Sequence, residues 1–241
     1  MADQVSDRPS QSTFPMGAAV AIIGYGDEAR AQALALRAGG ANVTVAVRHG
    51  GMSWVRALGD GFRAVSPGEA VPDAEVVVVA VPSAELPALW GQTIQKALAK
   101  GALVVFTKGT AVYAGAIDPG PDTDAVLIAR DESGCLVAVH HDATGRALER
   151  AAAFARAAHG ATRVGTTTFA DAMDAELDAQ MARAGGYDEL LAEWERTLAT
   201  PGHEPDAATL DYYERLRHAV GAARRSSGVV PSAPHSTRGA A

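Results

Sequence analysis

The chain has 241 residues, 48% of them hydrophobic, enough to bury a substantial core as one domain with a smaller appendage or as two modest domains. Its formal charge is −7 and only three of its 21 basic residues are lysines (Lys96, Lys100, Lys108), so no Lys/Arg-dense run exists to track a phosphate backbone, and nucleic acid is not an expected partner. Cys135 stands alone, the opening MADQVSDRPSQSTFP lacks the basic flank and apolar stretch of a signal peptide, and no apolar run reaches the roughly eighteen residues of a membrane span, so the expectation is a cytoplasmic protein without membrane contact.

Residues 1–16 and 226–241, rich in Ser, Pro, Gly and polar side chains without a hydrophobic period, read as disordered tails. Between them short apolar runs recur in the order AAVAIIG, NVTVAVR, GFRAV, AEVVVVAVP, GALVVFTKG, DAVLIAR, CLVAVHH and TRVGTTT, with helical segments in between. Near-continuous β-branched runs such as VVVVAV suit strands covered on both faces. Strands alternating with helices predict an α/β fold, a Rossmann-type, doubly wound, mostly parallel sheet over residues 17–168. From Phe169 the texture changes. DAMDAELDAQMARA places Met173, Leu177 and Met181 on one helical face, and YDELLAEWERTLA does the same with Tyr187, Leu190, Leu191, Trp194 and Leu198. A third helix, with Pro205 at its start, carries Leu210, Tyr213, Leu216 and Val220. Residues 169–225 thus form a short C-terminal helical domain, too small for a core of its own, which should pack on the sheet or on a second subunit. A homodimer is expected.

The segment AIIGYGDEARAQALALR carries the first chemistry. Gly24, Gly26 and Ala29 spell G-x-G-x-x-A directly after a strand and opening a helix, and together with Tyr25, Asp27 and Glu28 between them they are the expected cofactor-binding loop. The first glycine permits the tight turn, the second lets the backbone approach a pyrophosphate, and the small third residue allows close helix–strand packing. The helix start then offers free N–H groups to the phosphates. An ordinary βα turn that happens to use two glycines is the competing reading. At the end of the second strand, where an acidic residue would favour NAD, the chain has Arg48 with Ser53 nearby, and a guanidinium suits the 2′-phosphate of NADP. NADPH is the expected cofactor, against an Arg48 that merely stacks on adenine. Val81, Pro82 and Ser83 after the fourth strand complete the expected cofactor contacts together with Lys108 after the fifth, which also stands where a substrate would bind as a hydrogen-bond or proton donor.

These residues resemble a known family. AIIGYGDEARAQALALR, VAVRHGGMSWVRALGDGFRAVSPGEA, DAEVVVVAVPSAELPALW and CLVAVHHDATGRA are similar to the N-terminal domain of ketol-acid reductoisomerase, a branched-chain amino-acid enzyme that uses NADPH and two magnesium ions, and the likeness runs from about residue 18 to 220. It implies a Rossmann domain followed by a helical domain that dimerises and completes the active site. Three departures stand out. Lys108 replaces the family's histidine after the fifth strand, and the lysine-glycine-proline-glycine-histidine loop after the sixth is missing, so that Ala129–Gly134 runs almost directly into Cys135. Where the family's metal-binding helices supply four carboxylates, this chain reads Glu176, Gln180, Asp211 and Arg215. Two magnesium ions need several anionic oxygens, and two of the four positions now hold an amide and a guanidinium.

Magnesium is therefore not expected, nor the alkyl migration that depends on it. The reading that follows is a metal-independent NADPH-dependent reductase of a C=O or C=N bond in a small substrate, plausible in a specialised biosynthetic pathway, with Lys108, Glu176, Asp211 and Arg215 as candidate catalytic residues. Two alternatives stay open: a nucleotide-binding protein without catalysis, and a minimal magnesium-dependent reductoisomerase. His140-His141-Asp142 is not read as a metal site, because adjacent strand residues point to opposite faces.

Overall fold

The computed structural model describes residues 13–83, 85–131 and 134–173 and, beyond them, residues 192, 195, 196, 198, 199, 209, 210, 213, 214 and 217. All eight apolar runs are strands of one sheet: β1 (Ala19–Ile23), β2 (Asn42–Ala46), β3 (Arg63–Val65), β4 (Val76–Val79), β5 (Leu103–Phe106), β6 (Asp124–Asp131), β7 (Gly134–His141) and β8 (Val164–Thr167). Their spatial order is β3-β2-β1-β4-β5-β6-β7-β8. Strands β1 to β6 are parallel, β7 is antiparallel to β6, and β8 is parallel to β7. Chain order reverses between β1 and β4, which is the position where doubly wound sheets open a ligand crevice at the carboxyl ends of their strands.

Alternation along each strand explains why these runs are apolar throughout. In β4, Val77 and Val79 enter one core with Trp90, Ile94 and Phe106, while Val76 and Val78 enter the other with Leu36, Leu103 and Phe154. With both faces covered, neither set of side chains has to be polar. The second core is roofed by helix α1 (Asp27–Ala38), α2 (Met52–Gly59) and, across the sheet, α7 (Ala147–His159). Helix α1 buries Ala29, Gln32, Ala33 and Leu36 at helical spacing, and α7 buries Ala147, Ala151, Phe154, Ala155 and Ala158; alanines let the two helices pack closely on the sheet. The first core is roofed by the short helices α3 (Pro67–Ala70), α4 (Leu86–Leu89), α5 (Gln95–Ala97) and α6 (Thr110–Tyr113), with a π-helical turn at Trp90–Ile94 between α4 and α5.

A further helix begins at Phe169, and its Met173 is buried against the first core, as are Leu198 and Tyr213 in part. The described residues of the C-terminal region thus cover the sheet face opposite α1 and α7. Most of the predicted second and third helices, residues 1–12 of the predicted N-terminal tail 1–16 and the whole tail 226–241 lie outside the described residues, while Phe14, inside the predicted N-terminal tail, packs edge-on against Phe154. The shortened connection after β6 is a hairpin in which Asp131 pairs with Gly134.

Helix α7 ends at His159, followed by Gly160 in the left-handed conformation (φ 62°). Burial, with the Arg130 guanidinium adding to it, pushes the His159 imidazole from 6.5 down to about 4. Between those two values the unfolded chain binds a proton that the folded chain refuses, so stability falls as pH drops through this window. Thermal melts from pH 7 to pH 5 should register a loss on the order of 2 kcal/mol from this group. His159→Gln should flatten that slope, and an unchanged slope would remove His159 as its source.

Candidate functional site

The glycine loop leaves β1 at the switch point and is pinned there by the backbone. Gly24 N–H donates to the Ala46 carbonyl at 2.9 Å, and Ala80 N–H donates to the Ile23 carbonyl at 2.8 Å, tying the loop to the ends of β2 and β4. Gly24 has φ 93°, and a Cβ on it would lie 2.5 Å from the Ala80 carbonyl oxygen, so both its conformation and its surroundings exclude a side chain. Gly26 differs. It is the N-cap of α1 in extended conformation, no side chain caps the helix, and a Cβ there would meet nothing within 4 Å. The open volume beside Gly26 adjoins the first turn of α1, whose N–H groups lack a side-chain partner. Ala29, 2% exposed, presses on the sheet as the third position of the fingerprint requires.

Tyr25 is placed differently from its expected role. Its side chain is buried edge-on against Phe62, and its hydroxyl donates to Asp60 Oδ2 at 2.9 Å. Arg30 holds the same carboxylate through two hydrogen bonds of 2.7 Å. These bonds, Arg30 first, keep the Asp60 carboxyl down at about 2, while burial and Asp60 push the Tyr25 phenol up to about 12. Tyr25 therefore anchors the loop from beneath, and only its backbone remains available to a ligand. Asp27 and Glu28 are exposed in the first turn of α1, and the Asp27 carboxylate accepts from Arg56 Nη2 of α2 at 2.5 Å.

The other expected contacts gather along the same edge of the sheet. Arg48 is exposed just past β2, at the start of a turn closed by Gly51 N–H to the Arg48 carbonyl. Ser53 is half-buried in the first turn of α2, beside Trp54, whose ring contacts His49 at 4.5 Å between centroids. Past β4, Val81 is half-buried, Pro82 is exposed and Ser83 is 1% exposed, its hydroxyl without a hydrogen-bond partner among the described residues. Thr107, after β5, turns its N–H and hydroxyl to the Val79 carbonyl and leaves Lys108 exposed beyond it. Gly109 is boxed in: a Cβ would collide with Met173 and Leu127. The start of the C-terminal helix is thereby packed next to Lys108.

A dinucleotide fits this arrangement. The unfilled space at Gly26, the uncapped helix start, the exposed Arg48 and the orphaned Ser83 hydroxyl lie at the strand ends around the switch point. Glu176, Asp211 and Arg215, with Gln180, lie outside the described residues. His140 and His141 diverge as expected of neighbours in a strand, the first contacting Phe169 and the second the Pro121 carbonyl. Among the described residues no three His, Cys, Asp or Glu side chains converge as metal ligands, and no helix is long and apolar enough to cross a membrane.

Sheet order and glycine loop together define a Rossmann-type NAD(P)-dependent oxidoreductase fold. The chain belongs to the ketol-acid reductoisomerase family: residues 16–165 match the model of the acetohydroxy acid isomeroreductase NADPH-binding domain. The ketol-acid reductoisomerase (NADP(+)) of Pyrobaculum arsenaticum is 40% identical over 220 residues, which cover 84% of this chain and 66% of that protein. That of Pyrobaculum aerophilum is 36% identical over 236 residues, covering 91% and 71%. The structure of an NADH-preferring ketol-acid reductoisomerase from an uncultured archean superposes with a TM-score of 0.64 at 26% identity, covering 88% of this chain and 72% of that one. The chain thus spans about two thirds of the length of these relatives.

The ion pairs around the loop are what the sequence reading missed. Asp27 and Arg56 are 29 residues apart, and Arg30 and Asp60 are 30 apart. Such separations match no helix or strand period, so only the folded chain brings the partners together.

Proposed function

We propose that the chain is an NADPH-dependent reductase of a small carbonyl or imine substrate that works without magnesium, on a scaffold shared with ketol-acid reductoisomerases. The observation that carries this reading is the pairing of an intact glycine loop with an eroded donor set, in which Gln180 and Arg215 stand where metal-binding carboxylates would be needed. An amide is a weak ligand for a hard cation, and a guanidinium repels one. NADPH, when bound, supplies the hydride that such a reduction needs. The chain's part is to hold the pyrophosphate on the first turn of α1, to take the 2′-phosphate with Arg48 and Ser53, and to set Val81, Pro82 and Ser83 under the reactive end. Lys108 hydrogen-bonds the substrate oxygen or nitrogen and polarises the bond to be reduced. Glu176, Asp211 and Arg215 are the further candidates for orienting the substrate, a role in which a second copy of the chain takes part.

The test is NADPH oxidation by the full chain with a panel of small 2-oxo acids, aldehydes and cyclic imines, with magnesium and with EDTA. Turnover that survives EDTA is the expected result, and Lys108→Ala should then lower kcat by roughly tenfold or more with a much smaller rise in NADPH Kd. Strict magnesium dependence of acetolactate turnover would replace this reading with a minimal reductoisomerase, which the names of the relatives favour. NADPH binding without oxidation by any substrate would leave a nucleotide-binding protein without catalysis.

A further inference from the structure

The first turn of α1 poses an electrostatic problem. The helix start that should receive a pyrophosphate opens with Asp27 and Glu28, two acidic side chains in the turn directly after the open glycine Gly26. A carboxylate there is favoured by the helix dipole, yet it competes for the same positive end that a phosphate would use and repels the phosphate as well. The molecule holds an answer to one of the two. Arg56, on α2, reaches across to Asp27 with a hydrogen-bonded ion pair of 2.5 Å, although the Asp27 side chain is 90% exposed and sits at the edge of the opening. The Arg56 guanidinium makes no other hydrogen bond among the described residues. The neighbouring carboxylate, Asp60, is already held by Arg30 and Tyr25, which leaves Arg56 to Asp27.

We infer that Arg56 is a positioning residue for the dinucleotide pyrophosphate: it neutralises Asp27 and draws its carboxylate toward α2, so that the first-turn N–H groups can donate to the phosphate oxygens. The inference rests on the cofactor reading above. It makes a specific claim about selectivity, because the pyrophosphate is common to both nicotinamide dinucleotides whereas the 2′-phosphate is not. Arg56 should therefore matter equally for NADPH and NADH, while Arg48 should matter for NADPH alone.

The experiment is a binding cycle by fluorescence or calorimetry on the full chain, with both dinucleotides, at low and at moderate salt. Arg56→Ala should raise the Kd of NADPH and of NADH by a similar factor, about tenfold at low salt and less as salt screens the freed carboxylate. Asp27→Asn alone should tighten both, and Asp27→Asn with Arg56→Ala should bind close to wild type, since the charge that needed neutralising is gone. Arg56→Lys, which keeps the charge, should retain most of the affinity. Melting temperatures of all variants separate a folding defect from a binding one. Loss of NADPH binding alone in Arg56→Ala would overturn the inference by moving Arg56 to the 2′-phosphate. A double variant as weak as Arg56→Ala would overturn it by showing that Arg56 acts on the ligand without Asp27. A wild-type chain that binds neither dinucleotide would sink the cofactor reading itself and the inference with it.

Discussion

Gly24→Ala is expected to destabilise the protein by roughly 3 kcal/mol and to lower its Tm by about 10 °C, whereas Gly26→Ala should leave Tm nearly unchanged and raise the Kd of NADPH by about tenfold or more. The two glycines are a dipeptide apart in the same motif, but they serve different ends. At Gly24 the backbone has φ 93°, which costs an L-residue about 1–2 kcal/mol, and the added methyl would meet the Ala80 carbonyl at 2.5 Å. Relief would require β1 and β4 to part at their carboxyl ends, where Ala80 N–H is bonded to the Ile23 carbonyl. At Gly26 the backbone angles are open to any residue and the methyl would enter unoccupied space. Its cost appears only when a ligand needs that space. Paired melts and titrations of the two variants check the division, and an unaltered NADPH affinity in Gly26→Ala would mean that the pyrophosphate does not approach this turn.

Asp124→Ala should cost about 3 kcal/mol or more and leave dinucleotide affinity unchanged in whatever fraction remains folded. Asp124 opens β6, an interior strand, at the end of the sheet opposite the cofactor loop, and its side chain is fully buried. It accepts from Thr144 N–H at 2.9 Å, from the Thr144 hydroxyl at 2.7 Å and from Arg150 Nη1 at 2.6 Å. Arg150 in turn donates to the Gly101 and Glu75 carbonyls, so a single carboxylate ties the start of β6 to α7 and to the segments that lead into β4 and β5. Removing it leaves a largely buried guanidinium bonded only to carbonyls, and the desolvation of that charge is no longer offset. Asp124→Asn should cost less, because the amide still accepts from Thr144, though the charge on Arg150 stays unpaired. Denaturant melts resolve the ranking, and an Asp124→Ala protein as stable as wild type would show that water fills the gap.

How far the sequence alone reached is clearest at the strands and the loop. Every apolar run became a strand, because a buried parallel sheet demands β-branched side chains on both faces and the four valines of β4 leave no other use for themselves. The glycine loop was equally legible, since a positive φ and a close backbone approach are demands that only glycine meets, and both are written locally. Tyr25 was not legible in this way. As a residue between two glycines it looked like a ligand contact, but Asp60 and Phe62, which claim its ring and hydroxyl, come from a segment more than thirty residues downstream.

What the sequence by itself determined, then, is the sheet, the fingerprint and the family, all set by side-chain periodicity and by local backbone demands. What only the tertiary structure decided is the charge pattern around the site: which aspartate meets Arg56, which meets Arg30, and which one lies buried beneath α7. Electrostatic pairing depends on distance in space, and distances across a βαβ unit arise only once the crossover has packed, so no period along the chain encodes them.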